Sequence, residues 1–283
     1  MRLLIAESEP PAAREKRRAG TGRSMGETLQ ALLAELAPGA EVERTFPADG
    51  ERPPADALAS WDGVFLTGSP IHVYEDTPEV RREIAFMRDV FASGVPSFGS
   101  CAGMQVAVVA AGGRVRSMGY RREAGVTRRI TPTDAGREHP LLAGRPPAWD
   151  ASTVHSDEVD TLPDGATLLA RNAETKVQAV EIRHGAGVFW GVQYHPEIPL
   201  DEIAAALRRD ADDLVGAGLV RTPGEVEHQA ALLDALAREP GRRDLRWRLG
   251  IDDVLALPER RTLEIANFLA HLVEPTRAAR GRA

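Results

Sequence analysis

"VPSFGSCAGMQVAVVAAGG", residues 95–113, reads as a short apolar strand, a turn of small residues around the chain's single cysteine, and an apolar helix closed by Gly112. Cys101 stands between Ser100 and Ala102, with Gly99 and Gly103 each two positions away. A turn that lifts a nucleophile to its apex has a cramped backbone and needs such small neighbours. At a helix N-terminus the unpaired N–H groups and the dipole favour the thiolate over the thiol. The competing reading is a small buried hydrophobe, which is what most free cysteines are.

Working outward, "RLLIA" is a buried strand and "DGVFLTGSP" a second strand running into a tight turn. Ser24 and Glu27 have capping-box spacing ahead of a helical face of Leu29, Leu32, Leu33 and Leu36. Thr77 and Pro78 open another helix, carrying Val80, Ile84, Met87, Val90 and Phe91, which Gly94 stops. Strand and helix alternate, so the expectation is an α/β fold with a mostly parallel central sheet and its reactive groups at the carboxyl ends of the strands. Residues 7–24, rich in Pro, Arg and Gly, read as a disordered loop, with Arg14, Lys16, Arg17 and Arg18 a solvated basic patch or an anion contact.

From about Gly125 to Val192 the pattern changes to strands: "GVTRRITPT", "ATLLARN", "VQAVEIR" and "GVFWGVQYH". From Leu200 onward the chain reads as helical. The expected organisation is therefore a domain over residues 1–200 and a helical extension over 201–283 packed on it, ending in a frayed basic tail, "TRAARGRA". In "GRRDLRWRLG", residues 241–250, Trp247 lies among arginines, a composition suited to a partner surface. The plainer alternative is packing on its own domain.

The bulk numbers narrow the class. With 43% hydrophobic residues among 283, the chain can bury a full core. One cysteine leaves no disulfide framework, no Cys/His group has structural-zinc spacing, and a cytoplasmic setting is expected. No run spans a bilayer, and a formal net charge of −7 disfavours a nucleic-acid binder.

A second constellation lies in "GVQYHPE", residues 191–197. His195 follows an apolar strand, and Glu197 lies two positions on, across Pro196. In extended chain that offset puts both side chains on one side, so the carboxylate can hold one ring nitrogen while the other faces a thiol. Nucleophile, base and orienting acid are thus all present.

Together these segments resemble the class I, triad-type, glutamine amidotransferases. "GSCAGMQ" is similar to the family's G-x-C-x-G-x-Q nucleophile segment and "VQYHPE" to its His/Glu segment. "LTGSP" matches the oxyanion loop, "REAG" (122–125) a further family segment, and "VHSDEV" (154–159) the H-G-D segment. The resemblance covers about residues 1–200, in the flavour of the amidotransferase domain of GMP synthetase. It implies a flavodoxin-like three-layer fold, with Cys101, His195 and Glu197 catalytic. It also implies an oxyanion hole from the N–H groups of Ala102 and Ser69, with Gly68 the alternative to Ser69. Gln105, His155 and Ser156 would contact substrate, although Ser156 replaces the usual glycine. Glu123 would cap or pair nearby, and no metal or cofactor is implied.

The resemblance implies L-glutamine or a γ-glutamyl compound as substrate. The chain carries neither S-G-G-x-D-S nor G-x-x-x-x-G-K-[ST], so ATP-dependent activation of an acceptor would need a separate synthetase subunit. The first expectation is a glutamine-hydrolysing subunit feeding ammonia to such a partner. The alternatives are a stand-alone γ-glutamyl hydrolase with the same triad and a non-catalytic binding module of the same fold.

Overall fold

The computed structural model describes residues 1–281. Its strands are β1 (Arg2–Ala6), β2 (Glu41–Thr45), β3 (Gly63–Leu66), β4 (Ser97–Ser100), β5 (Arg114–Ser117), β6 (Glu123–Pro132), β7 (Trp149–His155), β8 (Asp157–Thr161), β9 (Ala166–Arg171), β10 (Ala179–His184) and β11 (Gly187–Val192). Its helices are α1 (Pro11–Thr21), α2 (Met25–Leu36), α3 (Pro78–Ser93), α4 (Ala102–Ala110), α5 (Asp134–Glu138), α6 (Leu200–Arg209), α7 (Ala211–Gly216), α8 (Pro223–Arg238), α9 (Arg243–Leu249), α10 (Asp253–Ala256), α11 (Pro258–Arg261), α12 (Leu263–Phe268) and α13 (Glu274–Ala279).

Nine strands form one sheet in the order β2-β1-β3-β4-β11-β10-β9-β6-β7. From β2 to β11 neighbours run parallel; from β11 outward they run antiparallel. The change of sense has a local cause. β10 and β11 are joined by a hairpin whose last pair is His184 with Gly187, too short a link for a parallel crossover.

Alternation along the central strands builds three layers. Leu4, Ala6, Val64 and Leu66 point to one face, where Phe86, Val90 and Met104 of α3 and α4 cover them. Leu3, Ile5, Phe65 and Phe98 point to the other, against Leu29 and Leu33 of α2 and Phe268 of α12. The expected α/β fold is thus present, and buried on both faces its central strands read as continuous apolar runs. α6 and α8 add a further apolar cluster with Ile198 and Met25.

Three expectations are corrected. Residues 11–21 are a helix, not a disordered loop: Pro11 starts it at the position where its missing N–H costs nothing, and Gly22 ends it at φ 79°. Its basic residues are not simply solvated. Arg17 is buried against Glu202, Arg14 pairs with Asp49, and Arg18 holds Glu27 at 2.7 Å. The basic tail is helical over Glu274–Ala279, and Arg280 donates to the Gly94 carbonyl at 2.7 Å; residues 282–283 lie outside the described residues. Trp247 is 85% exposed, so this residue of the extension does not cover an apolar face.

Candidate active site

The turn after β4 carries Cys101 at φ 51° and ψ −113°, a conformation most side chains avoid at a cost of about 1–3 kcal/mol. Its own N–H donates to the Val192 carbonyl at 2.8 Å, tying the turn to β11. The small neighbours are required. A Cβ on Gly99 would lie 2.7 Å from the Gly103 carbonyl carbon, and one on Gly103 would lie 2.4 Å from the Leu66 carbonyl oxygen. α4 therefore packs directly on β3, and Cys101, 7% exposed, is held at the helix N-terminus.

β11 delivers the other two residues. His195 donates its backbone N–H to the Ser152 carbonyl at 2.8 Å. Its Nδ1 lies 2.8 Å from Glu197 Oε1, and Ser100 Oγ donates to that oxygen at 2.7 Å. Cys101 Sγ lies 3.9 Å from the Val154 carbonyl oxygen, and it acts on the same imidazole that Glu197 holds, so the three side chains influence one another. Burial works against a charged ring, yet Glu197 and Cys101 outweigh it and lift the His195 pKa to about 10. Burial likewise pushes Glu197 up, and the His195 charge overrides it and lowers the carboxyl.

The turn after β3 closes over this group. A Cβ on Gly68 would sit 2.6 Å from His195 Cε1, so only glycine lets the ring stand there. Ser69 and Ala102 line the cleft, and among the described residues no protein acceptor takes the backbone N–H of Gly68, Ser69 or Ala102. Ser69 Oγ donates to the Ser8 carbonyl at 2.8 Å and fixes the turn to the end of β1.

The residues expected to contact substrate also reach the cleft, but their side chains are committed. Gln105 Nε2 donates to the Asp157 carbonyl at 3.2 Å and to Gln193 Oε1 at 3.1 Å. His155 places Nδ1 2.9 Å from the Asp157 carbonyl and Nε2 3.0 Å from Glu123. Ser156 lines the cleft beside them. Glu123 is the hub of this wall, accepting also from Thr127, Asn172, Thr175 and Gln178. Burial raises its pKa, but His155 and these donors prevail and pull it to about 2.

The cleft holds about 510 Å³ and draws in residues the motifs did not mark: Glu9, Arg17, Met25, His72, Ile198, Leu207 and Arg209. Met25 was visible only as the first residue of a capped helix, and Leu207 only as part of a helical face. No motif connects either to Cys101.

A family model described as "Glutamine amidotransferase class-I" matches residues 22–211. The chain belongs to the class I glutamine amidotransferases. Within the class I amidotransferases, it is 39% identical over 281 residues to a "Gamma-glutamyl-L-1-hydroxyisopropylamide hydrolase" of Pseudomonas sp., covering 98% of this chain and 94% of the relative. It is 32% identical over 197 residues to a GMP synthase of Thermomicrobium roseum, covering 68% of this chain but only 32% of that protein. Among solved structures, a glutamine amidotransferase of Thermotoga maritima superposes with a TM-score of 0.66 at 17% identity, over 97% of this chain and 98% of that one. Another, from Methylobacillus flagellatus, gives 0.60 at 20% identity over 95% and 93%. These two likenesses establish the class I amidotransferase fold across the chain, C-terminal helices included.

Proposed function

We propose that this chain is a γ-glutamyl amide hydrolase, with Cys101 as nucleophile, His195 as acid and base, and Glu197 as the group that orients His195. The observation that carries it is the end-to-end match to a relative named as such a hydrolase, extension included. Residues 201–283, taken here as an extension packed on a catalytic domain of residues 1–200, contribute Leu207 and Leu214 to the cleft, so the matched extension belongs to the site.

Sulfur attacks the γ-carbonyl carbon, and the oxyanion that forms is met by the N–H of Ala102 and of Ser69 or Gly68. As the C–N bond breaks, the imidazolium gives its proton to the departing nitrogen, leaving a γ-glutamyl thioester and a free amine. Water then attacks the thioester, passing a proton to His195, and the C–S bond breaks to release glutamate. The proton returns to the Cys101–His195 pair. Glu197 stays ionised throughout and stabilises the imidazolium. The walls at Gln105, His155 and Ser156 shape the pocket for the glutamyl half through backbone and packing. The single cysteine, which leaves no internal disulfide framework, supports a cytoplasmic setting.

The test is a comparison of kcat/KM for γ-glutamyl alkylamides and for glutamine with purified protein, beside Cys101→Ala. A preference for the alkylamides, and a fall of about 10⁴-fold or more in the variant, are expected. The second reading, an ammonia-supplying subunit for an ATP-using synthetase, draws on the match to GMP synthase. Turnover of glutamine alone, stimulated by such a partner, would establish it instead.

A further inference from the structure

The cleft crosses the carboxyl edge of the sheet, and two parts of its lining differ in kind. On the α4 side Gln105, Asp157 and His72 are linked by hydrogen bonds. Another part of the lining, Met25, Ile198 and Leu207, belongs to the apolar cluster around α6. Met25 Cε and His195 Cε1 both lie against Gly68, so this apolar part is the one next to the imidazole. The departing nitrogen must stand beside the imidazolium that protonates it, which places the amine half of the substrate here.

One polar side chain enters this part unexplained. Glu9, just past β1, is 6% exposed and lines the cleft. Its Oε2 accepts the Met25 N–H at 3.2 Å, and its Oε1 has no protein partner among the described residues. Arg17 and Arg209 act on it through their charge, but neither comes within ion-pair distance. Glu9 Oε1 is not among the buried side-chain atoms left without a partner, so it is open to the cleft, and a ligand that displaces water there must supply a donor of its own.

We propose that Glu9 is the specificity-determining residue for the amine half: its free oxygen accepts a hydrogen bond from a hydroxyl on the leaving amine, whose short alkyl part packs on Met25, Ile198 and Leu207. The substrate class is then γ-glutamyl amides of small hydroxyalkylamines. The inference rests on the hydrolase reading above and sharpens it. Glutamine alone would leave Glu9 Oε1 without a donor and much of the 510 Å³ unfilled. A site built around a substrate hydroxyl discriminates against the analogue that lacks it more strongly than an apolar pocket discriminates by size.

The experiment measures kcat/KM for a γ-glutamyl hydroxyalkylamide and for the same amide without the hydroxyl, in wild type, Glu9→Gln and Glu9→Leu. The wild-type ratio is expected to be about tenfold or more in favour of the hydroxyl. Glu9→Gln, which keeps an acceptor for the Met25 N–H, lowers that ratio, and Glu9→Leu brings it to about one. A wild-type ratio near one, or a ratio unchanged in Glu9→Gln, overturns the role of Glu9 while leaving the hydrolase reading intact; Glu9→Gln decides the matter even if Glu9→Leu does not fold. Wild-type protein that hydrolyses glutamine but neither amide overturns both.

Discussion

His195 shows how a single side chain sets the working pH of the site. With its pKa lifted to about 10, the ring keeps its proton through neutral pH, and in the proposed reaction that proton goes to the leaving nitrogen. A base whose folded pKa is raised contributes stability that is complete below the unfolded value of 6.5 and fades as pH rises through about 10. The same direction governs turnover. For a γ-glutamyl alkylamide, kcat/KM is expected to hold from neutral pH upward and to fall only as pH nears 10, where the imidazole no longer carries the proton that the amine needs. A pH-rate profile checks this, and an alkaline limb near pH 7 would show that the charged Glu197 and thiol do not hold the ring as described. The placing of Cys101 in its turn and of Glu197 beside His195 was legible because the proposed chemistry would require short, fixed offsets within one turn or strand end. Glu9 was not: what makes it special is an empty side of one oxygen, and only the folded cleft displays that.

Among elements, the strand-turn-helix at β4–α4 could be read from "GSCAG" because close packing of α4 on β3 requires its glycines. α1 could not, since its charge pattern has no apolar face; its order comes from Arg17 meeting Glu202, 185 positions away. β2, a charged edge strand, and β7 were passed over for a similar reason, as pairing rather than alternation makes them strands. α3 hides a related long-range tie. Its Glu83 is fully buried and accepts from Ser8 Oγ at 3.0 Å, while Ser8 also donates its N–H to Thr67 and accepts from Ser69. Burial, aided by Asp49 and opposed by Ser8 and the Ala48 backbone, lifts its pKa to about 7. A carboxyl raised in this way contributes stability that is complete below pH 4.5 and is lost as pH rises through about 7. Glu83→Gln keeps the shape and the acceptor without the charge. Relative to wild type it should gain about 2–3 kcal/mol between pH 5 and pH 8.5, read as the change in denaturation midpoints at the two values. A gain independent of pH would mean that Glu83 titrates as an ordinary exposed carboxylate.

For the molecule as a whole, the question is whether residues 201–283 are an addition or part of the core. Their sequence reads as a run of amphipathic helices, which says only that they pack on something. The contacts say on what. Phe268 stacks edge-on against Phe65 at 5.2 Å between centroids and lies 5.6 Å from Phe98, and Val273 closes over Gly63 and Leu3, so α12 and the turn after it cover the central parallel strands. Glu264 is fully buried, accepts from Tyr194 at 2.6 Å one position before His195, and pairs with the buried Arg145. Ending the chain at Leu200 would expose these strand faces, each large apolar side chain forfeiting about 1.5–3 kcal/mol, and would strand the Arg145 charge. That loss exceeds the margin by which a domain is stable. The shortened chain is therefore expected to lack a cooperative thermal transition and to elute as aggregate, although it retains Cys101, His195 and Glu197. In the full-length protein Glu264→Ala isolates one part of the effect, and about 3–5 kcal/mol should be lost because Arg145 stays buried without its partner. A truncated chain that melts cooperatively and turns over substrate would show instead that the first 200 residues hold the site unaided.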